Sequence, residues 1–256
     1  MTHALAELDA PRAATALLDA AERLFAAHGI AEVSIRQIVR ASGQGNLSAA
    51  HYHFGSRDAL IRAVIERRLR TLDAIRHRRL DAIVAAGRAG DLGTLVESAV
   101  TALVEAVEST DWGADYVRVL AQALFDPRMR LLDTVDPAAM SSLARVRALA
   151  RPLLPAVSDA TFDARVTMVH HHAAHAVARW VHEHGRVGAA NRGAYRAMAR
   201  RVTDFLVGGF GAPDRETGGA RPPLRAGPLN PRLRACSQFP TVTGYMPAAN
   251  AGTLTK

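Results

Sequence analysis

Apolar residues recur at intervals of three and four along nearly the whole chain, the period of a helix with one buried face. Leu17, Leu18, Ala21, Leu24 and Phe25 make the first such stripe, which stops at Gly29, a residue suited to the left-handed turn after a helix. Ser34-Ile35-Arg36-Gln37 has the form of a capping box: the Ser oxygen caps the third amide and the Gln side chain reaches back. It opens a short helix that runs to about Ala41. Ser42-Gly43-Gln44-Gly45 reads as a tight turn, where a positive φ favours glycine. Asn46 is the expected N-cap of a third short helix ending near Phe54. Ser56 caps a fourth, with Asp58 in its first turn, where the helix dipole favours an acid. That fourth helix is long, since Leu60, Val64, Leu72, Ile75 and Ile83 keep one of its faces apolar.

Beyond Gly90 the pattern predicts helices over about 92–108, 112–125, 137–151, 160–183 and 191–207, broken at Asp126-Pro127, Pro152, Pro155, Gly185 and Gly208-Gly209. No stretch of useful length alternates as a strand would, and no internal repeat is present, so the expected fold class is all-α. The expected organisation is an N-terminal arm (1–12), a three-helix unit (13–60), a helical bundle (61–210) and a C-terminal tail (211–256). The tail is rich in Pro, Gly and Thr and poor in core residues, so it reads as disordered and dispensable for folding. Its alternative reading is a basic arm that adds non-specific DNA affinity.

Three helices within some 40 residues, the second and third joined by a glycine-containing turn, form a helix-turn-helix unit. In the third helix Leu47, Ala50 and Phe54 share an inward face. Ser48, Ala49, His51 and Tyr52 project elsewhere, as short or ring-bearing groups suited to a groove floor and phosphate oxygens. Ser56 and Arg57 at the start of the fourth helix form a candidate phosphate anchor. His51, Tyr52 and His53 could alternatively pack between the third and fourth helices.

Residues 13–66 resemble the N-terminal domain of TetR-family transcriptional regulators. The resemblance rests on "LFAAHGI" at the end of the first helix, on "VSIRQIV", and on "YHFGSRDAL", which matches the family's Tyr-(Tyr/His)-Phe-x-(Ser/Asn)-Lys-(Glu/Asp)-x-Leu phrase. It implies a homeodomain-like DNA-binding domain followed by a helical domain for ligand binding and dimerisation. It further implies that His51 touches bases or backbone in the groove, that Tyr52 and His53 contact phosphates, that Arg57 grips phosphate, and that Arg36 lies near the backbone. Two departures stand out: the turn "SGQGNLSAA" is one residue longer than the common form, and Leu47-Ser48 replaces the usual Lys/Ser-Gly start of the third helix. Gln44, Asn46 and Ser48 therefore join the candidate base-reading residues.

Charge adds less than its total suggests. The net charge is +8, but residues 211–256 carry six basic against two acidic residues, so half the excess sits in the tail. A lone Cys236 cannot form an internal disulfide, no apolar run reaches the length of a membrane span, and the N-terminus mixes acids into its apolar residues, unlike a secretory leader. A cytoplasmic protein is expected.

The stretch "FDARVTMVHHHAAHAVARWVHEHG" raises a second possibility. At about 100° per residue, Phe162, Val166, Val169, Ala173, Ala176 and Trp180 share one face, while His171, His175 and His182 fall on the other beside Ala164 and Ala178. His171 and His175 have i, i+4 spacing, which can chelate zinc. A metal-binding protein or enzyme built on the His170–His184 cluster is thus the alternative to a regulator. No other helix supplies a Cys or a carboxylate set, and no G-x-S-x-G, P-loop or H-E-x-x-H occurs, so no metal, cofactor or catalysis is expected. The preferred reading makes Ala164, His171, His175, Ala178 and His182 a dimer seam, since in the TetR family the last two long helices usually form the dimer. Trp112, Tyr116, Phe125, Met129 and Met140 are candidate pocket residues for an unidentified small-molecule effector, though core packing explains each as well. The expected function is a ligand-responsive homodimeric repressor that binds a palindromic double-stranded DNA operator.

Overall fold

The computed structural model describes residues 2–43, 47–126 and 135–214, with side chains for all of these but 2–11 and 47–49. Nine α-helices and two short 3-10 turns occur among the described residues, and no strand. The helices are α1 (Thr2–His28), α2 (Ile35–Ala41), α3 (Leu47–Phe54), α4 (Arg57–Ala85), α5 (Leu92–Ser109), α6 (Gly113–Phe125), α7 (Ser141–Ala150), α8 (Asp159–His184) and α9 (Arg192–Phe210). The 3-10 turns, Pro137–Met140 and Arg151–Leu153, flank α7. None of these helices is long and apolar enough to cross a membrane.

The local signals act as expected. α1 closes where Gly29 takes φ 95° and donates its N–H to the Phe25 carbonyl at 2.9 Å. α2 opens with both halves of the capping box, Ser34 N–H to Gln37 Oε1 at 2.8 Å and Gln37 N–H to Ser34 Oγ at 3.4 Å. Ser56 Oγ accepts from Ala59 N–H at 3.1 Å and starts α4, a cap of the kind whose loss costs about 1 kcal/mol. α1 itself extends back to Thr2, so the segment expected as an arm is helical and continuous with it. The expected Asn46 cap and the residues of the turn at 44–46 lie outside the described residues.

α4 ties the molecule together. Its 29 residues span roughly 43 Å at 1.5 Å each. Leu60, Ile61, Val64 and Ile65 serve the N-terminal three-helix unit, while Leu69, Leu72, Ile75, Leu80 and Ile83 continue the buried stripe into the bundle. Two buried acids fix its register. Glu22 of α1, 3% exposed, accepts from Arg67 at 2.9 Å and from Arg68 at 2.7 Å. Asp73 accepts from the Ser142 N–H at 2.7 Å and the Ser141 hydroxyl at 2.8 Å, which joins α4 to the start of α7. Burial works against the Asp73 charge, but the donors from Ser142 and Ser141 and the nearby His77 outweigh it, so its carboxyl titrates below the usual range.

In the bundle, α6 packs on α8 and α5, and α9 packs on α5 and α8. Gly113 permits the close approach of α6 to the end of α5, because a Cβ there would collide with the Ala106 carbonyl. The ordered body runs past the expected end of the bundle. Asp214, 5% exposed, accepts from the Ser158 N–H at 3.0 Å and hydroxyl at 2.8 Å, and Arg165 donates to the carbonyls of Phe210, Ala212 and Pro213. Residues 211–214 are therefore anchored to the start of α8 rather than part of a dispensable tail; the rest of that tail lies outside the described residues.

Candidate functional site

α2 and α3 follow α1 in the helix-turn-helix order, with Gly43 at φ 74° starting the turn between them. Ile38 and Val39 bury α2, and Ala50, 4% exposed, seats α3 with the half-buried Phe54. The side chains of Gln44, Asn46, Leu47 and Ser48 lie outside those described. What α3 presents outward is a ring cluster: His51 is exposed, Tyr52 is 82% exposed, and the half-buried His53 meets Tyr52 edge to face with centroids 5.2 Å apart. Core packing, the alternative for these rings, accounts only for part of His53. Arg36 is exposed in the first turn of α2.

His51 has a defined polarity. Its Nδ1 lies 3.1 Å from the Gly55 carbonyl, and a carbonyl only accepts, so Nδ1 carries the proton and Nε2 of the neutral ring is an acceptor. Such a group complements an exocyclic amino group on a base edge better than a phosphate oxygen.

Arg57 stands elsewhere than expected. It does not extend free at the start of α4: its Nε donates to the Val33 carbonyl at 3.3 Å, and its Nη2 to the carbonyls of Val33, at 3.2 Å, and Ile30. Those carbonyls belong to the α1–α2 loop, so the guanidinium braces the domain from within. The apolar wall of that loop leaves two carbonyls in need of a donor, and Arg57 supplies it.

The bundle holds a cavity of about 330 Å³ between α4, α5, α6, α7 and α8. Leu69, Leu103, Leu120, Leu124, Met140, Leu143, Val166 and Ala173 make most of its wall, and Arg76, Arg147, Thr167, His170 and His171 are its polar members. Of the expected effector residues only Met140 lines it. Trp112 lies under the Arg68 guanidinium, 4.5 Å from its ring centre, and against the edge of Tyr116. Tyr116 is wholly buried in the core. Phe125 is 59% exposed and rests on His175, 4.3 Å between centroids. Met129 lies outside the described residues. The face of α6 that meets the cavity carries Leu120 and Leu124 instead. Sequence reasoning missed Arg76, although a charged residue inside the buried stripe of α4, between Leu72 and Leu80, was a visible signal.

The histidine helix divides by face. His170 and His171 line the cavity, and His172, His175 and His182 are exposed. His170, His172 and His184 each place Nδ1 on the carbonyl four residues back, so only Nε2 of these rings is left to face outward from the helix backbone. Among the described residues no group of three His, Cys, Asp or Glu could hold a metal ion. Of the expected seam, Ala164, His175 and His182 are exposed, but Ala178 is 8% exposed within its own chain and His171 turns to the cavity. The outer faces of α8 and α9 instead carry Met168, 54% exposed, and Phe205, 71% exposed.

Two connections join the two regions. Gln122 of α6 hydrogen-bonds the end of α1 on both sides of Gly29, and Glu22 of α1 is clamped by α4. The cavity wall and the helix-turn-helix thus share α4 and α6.

A comparison with curated proteins finds no match. Among solved structures, one titled crystal structure of gamma-butyrolactone receptor (ArpA-like protein) aligns at 19% identity and TM-score 0.42, covering 77% of this chain and 99% of that one. The family model for bacterial regulatory proteins of the TetR family matches residues 17–64, and that for the tetracyclin repressor-like C-terminal domain matches residues 97–209. With the all-helical fold and the exposed ring cluster on α3, these matches make the chain a DNA-binding helix-turn-helix regulator of the TetR family.

Proposed function

We propose that this regulator is a homodimeric, ligand-responsive repressor that acts in the cytoplasm by binding a palindromic operator and releasing it when a small molecule enters the bundle cavity. The observation that carries the reading is shared structure: α6 both walls the cavity, through Leu120 and Leu124, and holds the end of α1, through Gln122. A ligand that shifts α6 therefore changes the support of the helix-turn-helix, and by linkage DNA weakens ligand binding by the same factor.

In the complex, α3 enters the major groove, with His51 reading a base amino group, Tyr52 and His53 on phosphates, and Arg36 beside the backbone. The residues of the turn, Gln44 and Asn46, and Ser48 at the start of α3 are further readers. Two copies meet through α8 and α9, where Ala164, Met168, His175, His182 and Phe205 leave an unpartnered outer face. No catalysis or cofactor enters this reading. Selection of bound fragments from the chain's own genome, followed by footprinting, tests it: a protected two-fold symmetric site is expected, and protection of no defined sequence would overturn it.

A further inference from the structure

Arg76 is 5% exposed in the cavity wall, and its Nε and Nη1 have no hydrogen-bond partner. A guanidinium stays charged in a protein, and burying one without a partner is costly. Tyr116, and after it Asp73 one turn back on α4, offset part of that charge through space. The Asp73 oxygens, however, are taken by the Ser142 N–H, the Ser141 hydroxyl and His77. The other cavity arginine, Arg147, is paired with Asp163. No carboxylate lines the cavity among the described residues. Among the described residues the directional demand of Arg76 is thus unmet.

His170 supplies the complementary feature. Its Nδ1 donates to the Val166 carbonyl at 2.7 Å, which leaves Nε2 an acceptor, and that atom is enclosed without a partner. Burial first, then the proximity of Arg76, lowers its pKa to about 4, so the ring is neutral at physiological pH. The open cationic donor of Arg76 and the unpartnered Nε2 atoms of His170 and His171 therefore stand in a mainly apolar wall whose other polar members are Thr167 and the paired Arg147. A cavity of about 330 Å³ is of the size that takes a small organic molecule.

The geometry points to a small apolar monocarboxylate as the ligand, its carboxylate held by Arg76 and a hydroxyl on its chain donating to His170 Nε2. The inference rests on the cavity being the effector site. A single charge matches the single unpaired guanidinium, whereas the second charge of a phosphate monoester would be left uncompensated in an apolar enclosure. An amine would meet Arg76 as a like charge.

Calorimetric titration of the full chain with octanoate, 3-hydroxyoctanoate, methyl octanoate and octylamine tests it. Octanoate should bind about tenfold or more tightly than its methyl ester, octylamine should not bind, and the 3-hydroxyl should add affinity. Arg76→Leu should make acid and ester equal and raise the melting temperature of the free protein, since it removes an unpaired buried charge. Arg76→Lys should keep the preference for the acid. His170→Phe should cancel only the gain from the hydroxyl. Equal binding of acid and ester by the unaltered protein, or no binding of any probe, would overturn the proposal. So would an acid preference that survives Arg76→Leu or, should that variant not fold, Arg76→Gln. A hydroxyl that adds nothing overturns the His170 assignment. Release of operator DNA is measured separately: Arg76-dependent binding without release refutes the effector reading and leaves the ligand chemistry standing.

Discussion

Gln122 Oε1 accepts the Ile30 N–H at 2.7 Å, while Nε2 of the same side chain donates to the Phe25 carbonyl at 3.3 Å. One α6 amide thus satisfies the Ile30 N–H and adds a second donor to the Phe25 carbonyl that already accepts from Gly29, 92 and 97 residues away in sequence. It is the most direct polar tie between the bundle and the helix-turn-helix. Replacing it by Met keeps the length and removes both bonds. Gln122→Met should destabilise the protein by about 1–3 kcal/mol, the cost of stranding a partly buried amide, and should change DNA affinity without touching any DNA contact. Melting curves and gel shifts check this, and unchanged values in both would remove Gln122 from the coupling.

His51 and Arg57 should fail in different ways. His51→Ala removes an exposed acceptor, so it should leave the melting temperature in place and relax preference at one symmetric pair of operator positions, by roughly 1–3 kcal/mol. Arg57→Ala strands the Ile30 and Val33 carbonyls, so it should lower the melting temperature and weaken binding to all sequences alike. Binding of each variant to a panel of operator point mutants, beside thermal melts, separates the two. An Arg57→Ala protein as stable as the parent would show that the brace is dispensable.

On α8, Ala164 and Ala178 should not behave alike. Ala164 and Phe205 face outward, so Ala164→Asp or Phe205→Asp should yield folded monomers in sedimentation. Ala178 is buried in its own chain, and Ala178→Asp should unfold the bundle, at a cost of several kcal/mol. A parent chain that sediments as a monomer would dispose of the seam altogether.

Stability should respond to pH through His170. Its pKa is near 4 in the folded chain and near 6.5 unfolded, so the folded state resists protonation. The contribution is fully present above about pH 6.5, falls as pH drops toward 4, and is flat below, on the order of 2–3 kcal/mol in all. His170→Gln should flatten that limb of the melting-temperature profile. An unaltered slope between pH 6.5 and 4 would assign the titration to other groups.

A chain ended at Asp214 should melt like the full-length protein, because the α8 cap is then complete. A chain ended at Gly211 should lose about 1–3 kcal/mol with its buried acceptor. Equal melting of the two shortened chains would mean that the Asp214 contact contributes nothing.

The sequence by itself determined what depends on near neighbours. The Ser34–Gln37 box, the Ser56 cap, the stop at Gly29 and the stripes of α4 and α8 are set by residues within a turn or two of one another, and one helical period exposes them. The phrases around His51 and Arg57 were legible for the same reason. Only the tertiary structure decided which face meets which. Ala178 and Ala164 share a face by periodicity, yet one is buried and the other is not, because helix packing, not spacing, sets where that face ends. Arg57 finds its acceptors 24 and 27 residues away, across the α1–α2 loop. Arg76 lies in a stripe that reads as core, and it is left unpaired only because five helices meet around it with a gap. Such relations join segments far apart in the chain, and local periodicity carries no record of them.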